Sequence, residues 1–239
     1  MKEHIYTIPV TDAFRGKTEC PFCFMRDELE KGELNFVLGP SYMDDSVRRQ
    51  TNEKGFCPEH FRKLYAGKNR LGLALMTHTH FSRVNKKVSG LIANGGIKKG
   101  LFSKPDKNTK LSEYIGTLNR SCYICDKIGQ TFELYIETFF HLWGQGGEIR
   151  DLFAESSGFC LPHLAVLMNS AAEKLDPRGC SGFYGSLSEV QNRSMERIEG
   201  ELDWFTKKFD YRYKDEPWNN SKDALPRAIR KLTSDCPDR

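Results

Sequence analysis

Cys20-Pro21-Phe22-Cys23 and, 102 positions later, Cys122-Tyr123-Ile124-Cys125 begin two stretches of chain that share one pattern. In each stretch a Gly-Phe-Cys-x-x-His sequence follows the cysteine pair, at residues 55–60 in the first copy and 158–163 in the second. Apolar residues also recur at matching positions, for example Val37 and Phe139. Because both kinds of residue keep their offsets, we interpret the pattern as an internal duplication.

Each copy contains three cysteines and one histidine, a set that binds zinc tetrahedrally. Two thiols two residues apart can reach one ion from a single helical turn, and the later Cys-x-x-His completes the four ligands. The entropy cost of closing a loop grows with its length, so we predict that each copy holds its own ion. The predicted ligands are Cys20, Cys23, Cys57 and His60 for one zinc ion, and Cys122, Cys125, Cys160 and His163 for the other.

Three other interpretations of the cysteines stay open at this point. Three thiolates and an imidazole can also hold an iron-sulfur cluster for electron transfer or redox sensing. An enzyme could use a metal-bound thiolate, although no catalytic residue is predicted. The Cys20–Cys23 motif also resembles the active-site disulfide of thioredoxins, which lies in an α/β fold that this sequence does not predict. Structural zinc in a protein-interaction or regulatory module is the leading hypothesis.

Composition indicates a folded protein of ordinary size. The 239 residues are 28% charged and 12% aromatic, with a net charge of +4. No apolar stretch approaches the ~20 residues of a membrane span, and no secretory signal is recognisable. We therefore expect a soluble, cytoplasmic protein that does not bind membranes. Eight cysteines in a reducing compartment indicate metal or redox chemistry, and Cys180 and Cys236 remain outside the two ligand sets.

The stretch from residue 83 to residue 110 is strongly basic, with Asp106 as its one acid. Such a stretch could bind phosphate or nucleic acid. It lacks interleaved aromatic residues for base stacking, so we favour a solvated helix end followed by a linker. A protein is therefore the predicted partner, and the sequence does not indicate the oligomeric state. The cations are Arg83, Lys86, Lys87, Lys98, Lys99, Lys104, Lys107 and Lys110.

Apolar residues recur every three or four positions through most of the chain, which predicts an all-α fold. We expect two pseudo-symmetric helical repeats, each with a Cys3His site at helix N-termini, plus two long packing helices. Helix N-termini stabilise thiolates, which suits metal ligands. The predicted organisation is an N-terminal arm (1–19), a first metal-binding repeat (20–98), a linker (99–115), a second metal-binding repeat (116–215) and a C-terminal tail (216–239).

Several finer expectations follow from local patterns. Residues 8–12 are predicted to be extended, and residues 94–96 to end the first long helix. That helix would pack through a stripe of residues 71, 75, 78 and 81, which places His78 in the core. Arg48 and Arg150 recur with the duplication and either bind an anion, balance thiolate charge or form surface ion pairs. His141 is predicted to be structural, and the common nucleotide-binding and hydrolase motifs are absent.

The duplicated Cys-x-x-Cys and Gly-Phe-Cys-x-x-His motifs resemble an uncharacterised bacterial family of helical proteins, whose members are sometimes labelled ABC transporter substrate-binding proteins. The resemblance rests on the eight predicted ligands together with Gly55-Phe56 and Gly158-Phe159, and it extends over most of the chain. It implies a helical bacterial cytoplasmic protein with no known activity.

Overall fold

The computed structural model describes residues 5–94 and 110–235. These residues form helices and no β-strand, which confirms the all-α class. Cys236, Lys98, Lys99, Lys104 and Lys107 lie outside the described residues, as does most of the predicted linker. The helices are α1 (Thr7–Arg15), α2 (Pro21–Leu38), α3 (Asp45–Lys54), α4 (Pro58–Ala66), α5 (Arg70–Asn94), α6 (Lys110–Asn119), α7 (Tyr123–Gln145), α8 (Glu148–Glu155), α9 (Leu161–Lys174), α10 (Pro177–Lys207) and α11 (Ala224–Thr233).

The chain divides into two compact units that cut across the sequence repeats. Unit 1 consists of Met1–Glu28 and Thr131–Arg239, and unit 2 consists of Leu29–Gln130. The first Cys-x-x-C motif therefore lies in the same unit as the second Gly-Phe-Cys-x-x-His motif. None of the helices in the described ranges is long and apolar enough to cross a membrane.

Unit 1 has an aromatic core. Phe14 stacks on Phe139 with ring centroids 5.3 Å apart, and Phe22 meets Phe139 edge to face at 5.5 Å. Such offset and edge-on pairs add to the stabilisation from burying the rings. Phe159, the residue before Cys160, is fully buried in this core. The residue beside each of two predicted ligands is therefore anchored by packing.

The N-terminal segment is a helix, so the predicted extended conformation of residues 8–12 is wrong. Pro9 lies in the first turn of α1, where its missing N–H would have had no helical partner anyway. Val10, Ala13 and Phe14 follow at helical spacing and are buried. The proline that suggested an extended arm is thus compatible with a helix start.

The packing face of α5 in unit 2 also differs from the prediction. Leu73 and Met76 are buried, whereas Leu71, Phe81 and His78 are exposed. Assigning His78 to the core was therefore wrong. The helix contains apolar residues on two faces, and α3 packs against the face that carries Leu73 and Met76. Periodicity alone could not choose between them.

The second long helix is confirmed, but it ends at Lys207, so Phe209 and Tyr213, which we expected to continue its apolar stripe, lie beyond it and Phe209 is exposed. In α10 the residues Leu187, Val190, Ser194 and Ile198 are buried at three- and four-residue spacing. Asp176 caps the helix N-terminus by accepting hydrogen bonds from two backbone N–H groups. Helix α10 packs against α8, α9 and α11 within unit 1.

Candidate metal centres

The eight predicted ligands form two clusters, and each cluster has the composition Cys3His. Within each, the four candidate ligand atoms all lie within 4.8 Å of one another. We call the cluster in unit 1 centre A and the cluster in unit 2 centre B. Centre A consists of Cys20, Cys23, Cys160 and His163, and centre B consists of Cys57, His60, Cys122 and Cys125.

The predicted grouping of the ligands was therefore wrong, because each centre takes its Cys-x-x-C from one copy and its Cys-x-x-His from the other. The entropy cost of loop closure favours four ligands from the same repeat, but this cost rises only slowly with the length of the loop. Going from about 40 to about 140 residues adds roughly 1 kcal/mol. Burying the aromatic side chains next to the ligands outweighs a penalty of that size. Phe22, for example, packs against Phe132 and Phe159 in unit 1.

The distances in centre A fit one tetrahedral ion. The Sγ of Cys160 lies 3.9 Å from that of Cys20 and 3.5 Å from that of Cys23. His163 Nδ1 lies 3.1–3.6 Å from the three sulfurs. Zinc bonds of about 2.3 Å to sulfur and about 2.0 Å to nitrogen give tetrahedral edges of roughly 3.8 and 3.5 Å. A disulfide would instead bring two sulfurs to about 2.05 Å.

Centre A is enclosed by protein. Its four ligand residues are between 0% and 4% exposed. The rings of Phe132 and Phe22 lie 5.3 and 6.1 Å from the His163 ring. An ion here would be shielded from water and from competing ligands.

Two cations from α11 contact the segments that carry the ligands of centre A. Lys231 is 1% exposed and donates hydrogen bonds to the backbone carbonyls of Glu19 (2.5 Å) and Ser157 (2.6 Å). Each carbonyl belongs to the loop that leads into one half of the ligand set. Arg230 forms an ion pair with Asp27 on α2. Because a zinc-bound Cys3His set carries a formal charge near −1, cations at this position would stabilise it.

Centre B has the same internal geometry but is more open. His60 Nδ1 lies 3.2 Å from the Sγ of Cys57 and 3.3 Å from those of Cys122 and Cys125. The sulfurs of Cys57 and Cys125 are 3.8 Å apart. Cys122 and His60 are buried, whereas Cys125 is exposed and Cys57 is partly exposed. Two of the four ligands of centre B can therefore meet solvent reagents.

Glu30 holds the second ring nitrogen of His60. Its Oε1 lies 3.1 Å from His60 Nε2, and the same carboxylate accepts hydrogen bonds from Lys63. The hydrogen bond with His60, helped by Lys63, lowers the pKa of Glu30 to about 2. The carboxylate fixes the tautomer that leaves Nδ1 free for a metal, as carboxylate partners do behind histidine ligands.

The ligands lie at helix N-termini, as predicted. Cys57 and Cys160 are the N-cap residues of α4 and α9, and the histidines follow in the first turn. The glycine two residues before each cap has positive φ, 63° at Gly55 and 80° at Gly158. A side chain at Gly158 would also lie 2.6 Å from Ser194 Cβ, and one at Gly55 would overlap the His80 ring. Glycine is therefore required in both loops.

Residues outside the motifs also position the ligand loops. The Gln191 side chain accepts a hydrogen bond from Phe159 N–H and donates one to Phe159 O, both at 3.0 Å. In unit 2, His80 Nδ1 lies 2.8 Å from the Asn52 carbonyl, and Tyr123 N–H donates to Gly55 O. Gln191 and His80 lie outside the duplicated motifs. Only their positions on α10 and α5 could have suggested that they face a loop.

The pKa values of Cys122 in centre B and of Cys160 in centre A are shifted in opposite directions. Burial raises the pKa of Cys122, but hydrogen bonds, first that from His60, lower it to about 6. The hydrogen bond with Cys20 raises the pKa of Cys160 to about 12. Against the effect of burial, hydrogen bonds also lower the pKa of Cys20 in centre A, and burial raises that of Cys125 in centre B, so each centre combines a stabilised thiolate with at least one thiol that retains its proton. A metal ion would displace those protons, as expected for thiolate sites.

The remaining candidates have other roles. Arg48 and Arg150 each donate one hydrogen bond to a backbone carbonyl, of Tyr42 and Trp143 respectively, and their predicted roles stay predictions. Cys180 is a free, partly exposed thiol on α10. The two centres differ from these single residues because each brings four donor atoms together at tetrahedral spacing.

Comparison with known proteins identifies a family without an assigned activity. No curated protein and no solved structure matches the chain. A family model described as "Family of unknown function (DUF6062)" matches residues 1–239. The resemblance to an uncharacterised helical family is thereby confirmed, and the chain belongs to DUF6062.

Proposed function

We propose that this is a cytoplasmic zinc-binding protein in which two structural Cys3His centres hold a helical scaffold for binding a protein partner. The observation that carries the proposal is the spacing of the four donor atoms in each centre, all within 4.8 Å of one another. The ligands of centre A are separated by up to 143 residues. An ion there would fasten distant segments of unit 1 together, which is what structural zinc does.

The donor spacing supports a single ion over an iron-sulfur cluster. In a cluster the protein ligands bind separate irons, and inorganic sulfides occupy the space between them. Four donors that lie within 4.8 Å of one another leave room for one ion only. Zinc is the ion that most often takes four such thiolate and imidazole ligands.

The number of protein ligands supports a structural role over catalysis. Catalytic zinc keeps one position for water or substrate, whereas structural zinc has four protein ligands. Both centres provide four protein ligands. In both, contacts fix the orientation of the histidine ring. Glu30 holds His60, and the rings of Phe22 and Phe132 pack around His163.

Elemental analysis tests the proposal directly. We expect protein purified without added metal to contain two zinc ions per chain and to be colourless. Anaerobic purification serves as the control, because it would preserve an oxygen-sensitive cluster. A brown protein with absorbance near 400 nm and stoichiometric iron would refute zinc. A metal-free chain with paired disulfides would refute metal binding altogether.

Alkylation after ligand removal tests the grouping of the ligands. We expect His60→Ala to release the ion of centre B, so that Cys57, Cys122 and Cys125 are no longer protected by the metal and react with iodoacetamide faster than in the parent, detected by peptide mass spectrometry. Cys20 and Cys23 should stay protected, because their partner histidine is His163. The matched variant His163→Ala should give the opposite pattern.

Labelling of Cys20 and Cys23 in the His60→Ala variant, with Cys122 protected, would contradict the exchanged grouping. It would restore the arrangement in which each repeat holds its own ion. Labelling of all six cysteines in either variant would indicate that loss of one ion unfolds both units.

A further inference from the structure

The two centres have the same ligand types but differ in how well solvent reaches their sulfur atoms. In centre A every ligand residue is 4% exposed or less. In centre B the Cys125 side chain is exposed and Cys57 is partly exposed. Oxidation of cysteine depends on thiolate character and on exposure. Two sites of equal composition in one chain should therefore differ in their reactivity toward dissolved oxidants.

Cys125 combines exposure with features that stabilise a thiolate. It lies in the first turn of α7 (Tyr123–Gln145), where the helix dipole and unpaired backbone N–H groups favour negative charge. A bound zinc ion would keep its sulfur deprotonated. The thiolate is the nucleophilic form of cysteine, so this sulfur would need no separate base to react.

A second thiol of centre B lies beside Cys125. The Sγ atoms of Cys57 and Cys125 are 3.8 Å apart, so an approach of about 1.8 Å would bring them to the length of a disulfide bond. Cys57 is partly exposed, and its sulfur accepts no capping hydrogen bond from α4. The Cys122 sulfur is buried and lies 3.5 Å from the Cys125 backbone N–H, which donates to it. A hydrogen bond of that kind stabilises a thiolate and weakens it as a nucleophile, which favours Cys57 as the attacking thiol.

We propose, on the basis of the proposed zinc binding, that centre B is a peroxide-sensitive site in which Cys125 is oxidised and Cys57 is the resolving thiol. The Cys125 thiolate attacks hydrogen peroxide, the O–O bond breaks, and a sulfenic acid and hydroxide form. The Cys57 thiolate then displaces hydroxide from the sulfenic sulfur and forms the disulfide. The two thiolates lose two electrons and the peroxide gains them. The two hydroxide ions take up two protons and leave as water.

This oxidation would release the ion of centre B and leave that of centre A in place. The disulfide removes two of the four ligands, and His60 and Cys122 alone form half of a tetrahedral site. Cys57 at the N-cap of α4 and Cys125 in the first turn of α7 would remain joined, now by a covalent bond. Glu30 would still orient the His60 ring for rebinding. A thiol reductant and zinc should therefore restore the site.

Titration of the zinc-loaded, full-length chain with hydrogen peroxide tests this proposal. We expect a chromophoric zinc indicator to detect release of one ion per chain at least about tenfold faster than release of the second. Non-reducing peptide mass spectrometry should then find a Cys57–Cys125 disulfide and reduced thiols in centre A. Dithiothreitol followed by zinc should return the chain to two ions.

Histidine substitutions separate reactivity from metal binding, because zinc also accepts two cysteines and two histidines. Cys125→His should keep two ions and lose them to peroxide at least about tenfold more slowly from centre B. Cys57→His should accumulate a sulfenic acid at Cys125, which dimedone traps. The matched control is Cys23→His, the same exchange at a buried ligand of centre A. It should leave the peroxide sensitivity of centre B unchanged.

Equal release rates from the two centres, or oxidation of centre A first, would overturn the proposal. A Cys122–Cys125 disulfide would also overturn it, because Cys57 would then not be the resolving thiol. Zinc analysis before peroxide is added separates this result from a failure of the metal proposal, which would show as fewer than two ions in the untreated chain. Where a histidine variant does not retain zinc, the release rates and the disulfide map of the parent decide the outcome.

Discussion

Replacing Cys160 with serine should remove the ion of centre A and destabilise unit 1 by about 5 kcal/mol. Structural zinc contributes on the order of 10 kcal/mol to small domains, and the remaining hydrophobic core retains part of the stability. For a chain of this size, that loss lowers the melting temperature by roughly 10–20 °C. Differential scanning calorimetry and zinc analysis of the same sample measure both effects. Zinc content should fall from two ions per chain to one.

Cys180→Ser is the matched control, because it makes the same chemical change at a thiol outside both centres. It should keep two zinc ions and melt within a few degrees of the parent. A Cys160→Ser protein that loses one ion yet melts at the parental temperature would show that centre A is not structural. The ion would then need a chemical role, and the metal-thiolate enzyme hypothesis would gain weight.

The sequence was sufficient to identify the eight residues that form the two clusters, because metal chemistry restricts which residue types can bind an ion and how they are spaced. It also placed the ligands at helix N-termini, since the Cys-Pro pair at Cys57 and the helical spacing after Cys20 are local signals. The sequence could not predict which four of these residues form each centre. Both copies carry the same two half-sites, so the local and exchanged groupings satisfy the same sequence pattern.

What decides between the groupings is packing between residues distant in sequence. Phe22 follows Cys20, and it packs against Phe132, Phe139 and Phe159 rather than against side chains of its own repeat. The spacing of apolar residues along the sequence does not predict contacts between segments that are distant in sequence. The contact between Gln191 and the Phe159 backbone, 32 residues away in sequence, could not be predicted for the same reason. Nor could the choice of which face of α5 is buried. Local patterns reveal that a helix has an apolar face, but tertiary structure chooses which face is buried.

The largest effect from outside the ligand set is expected at Lys231. Its ammonium group holds the carbonyls of Glu19 and Ser157, and it lies 3.4 Å from the Glu19 carboxylate. Burial lowers the pKa of Lys231, and attraction to Glu19 and Cys20 opposes the shift. Lys231→Met would keep the side-chain bulk but leave two buried carbonyls with fewer donors. We expect a loss of about 3 kcal/mol in the free energy of unfolding.

The same variant should weaken zinc binding at centre A by about 10- to 100-fold, because the two loops that carry its ligands would lose their common anchor and a compensating charge. Competition with a chromophoric chelator measures this affinity, and alkylation of Cys20 and Cys160 assigns the change to centre A. Lys208→Met is the matched control, since Lys208 also donates to three carbonyls, those of Tyr213, Lys214 and Glu216. It should cost comparable stability while leaving the zinc affinity unchanged. Equal chelator resistance in the two variants would show that Lys231 supports the fold alone, and that the charge of centre A needs no partner from α11.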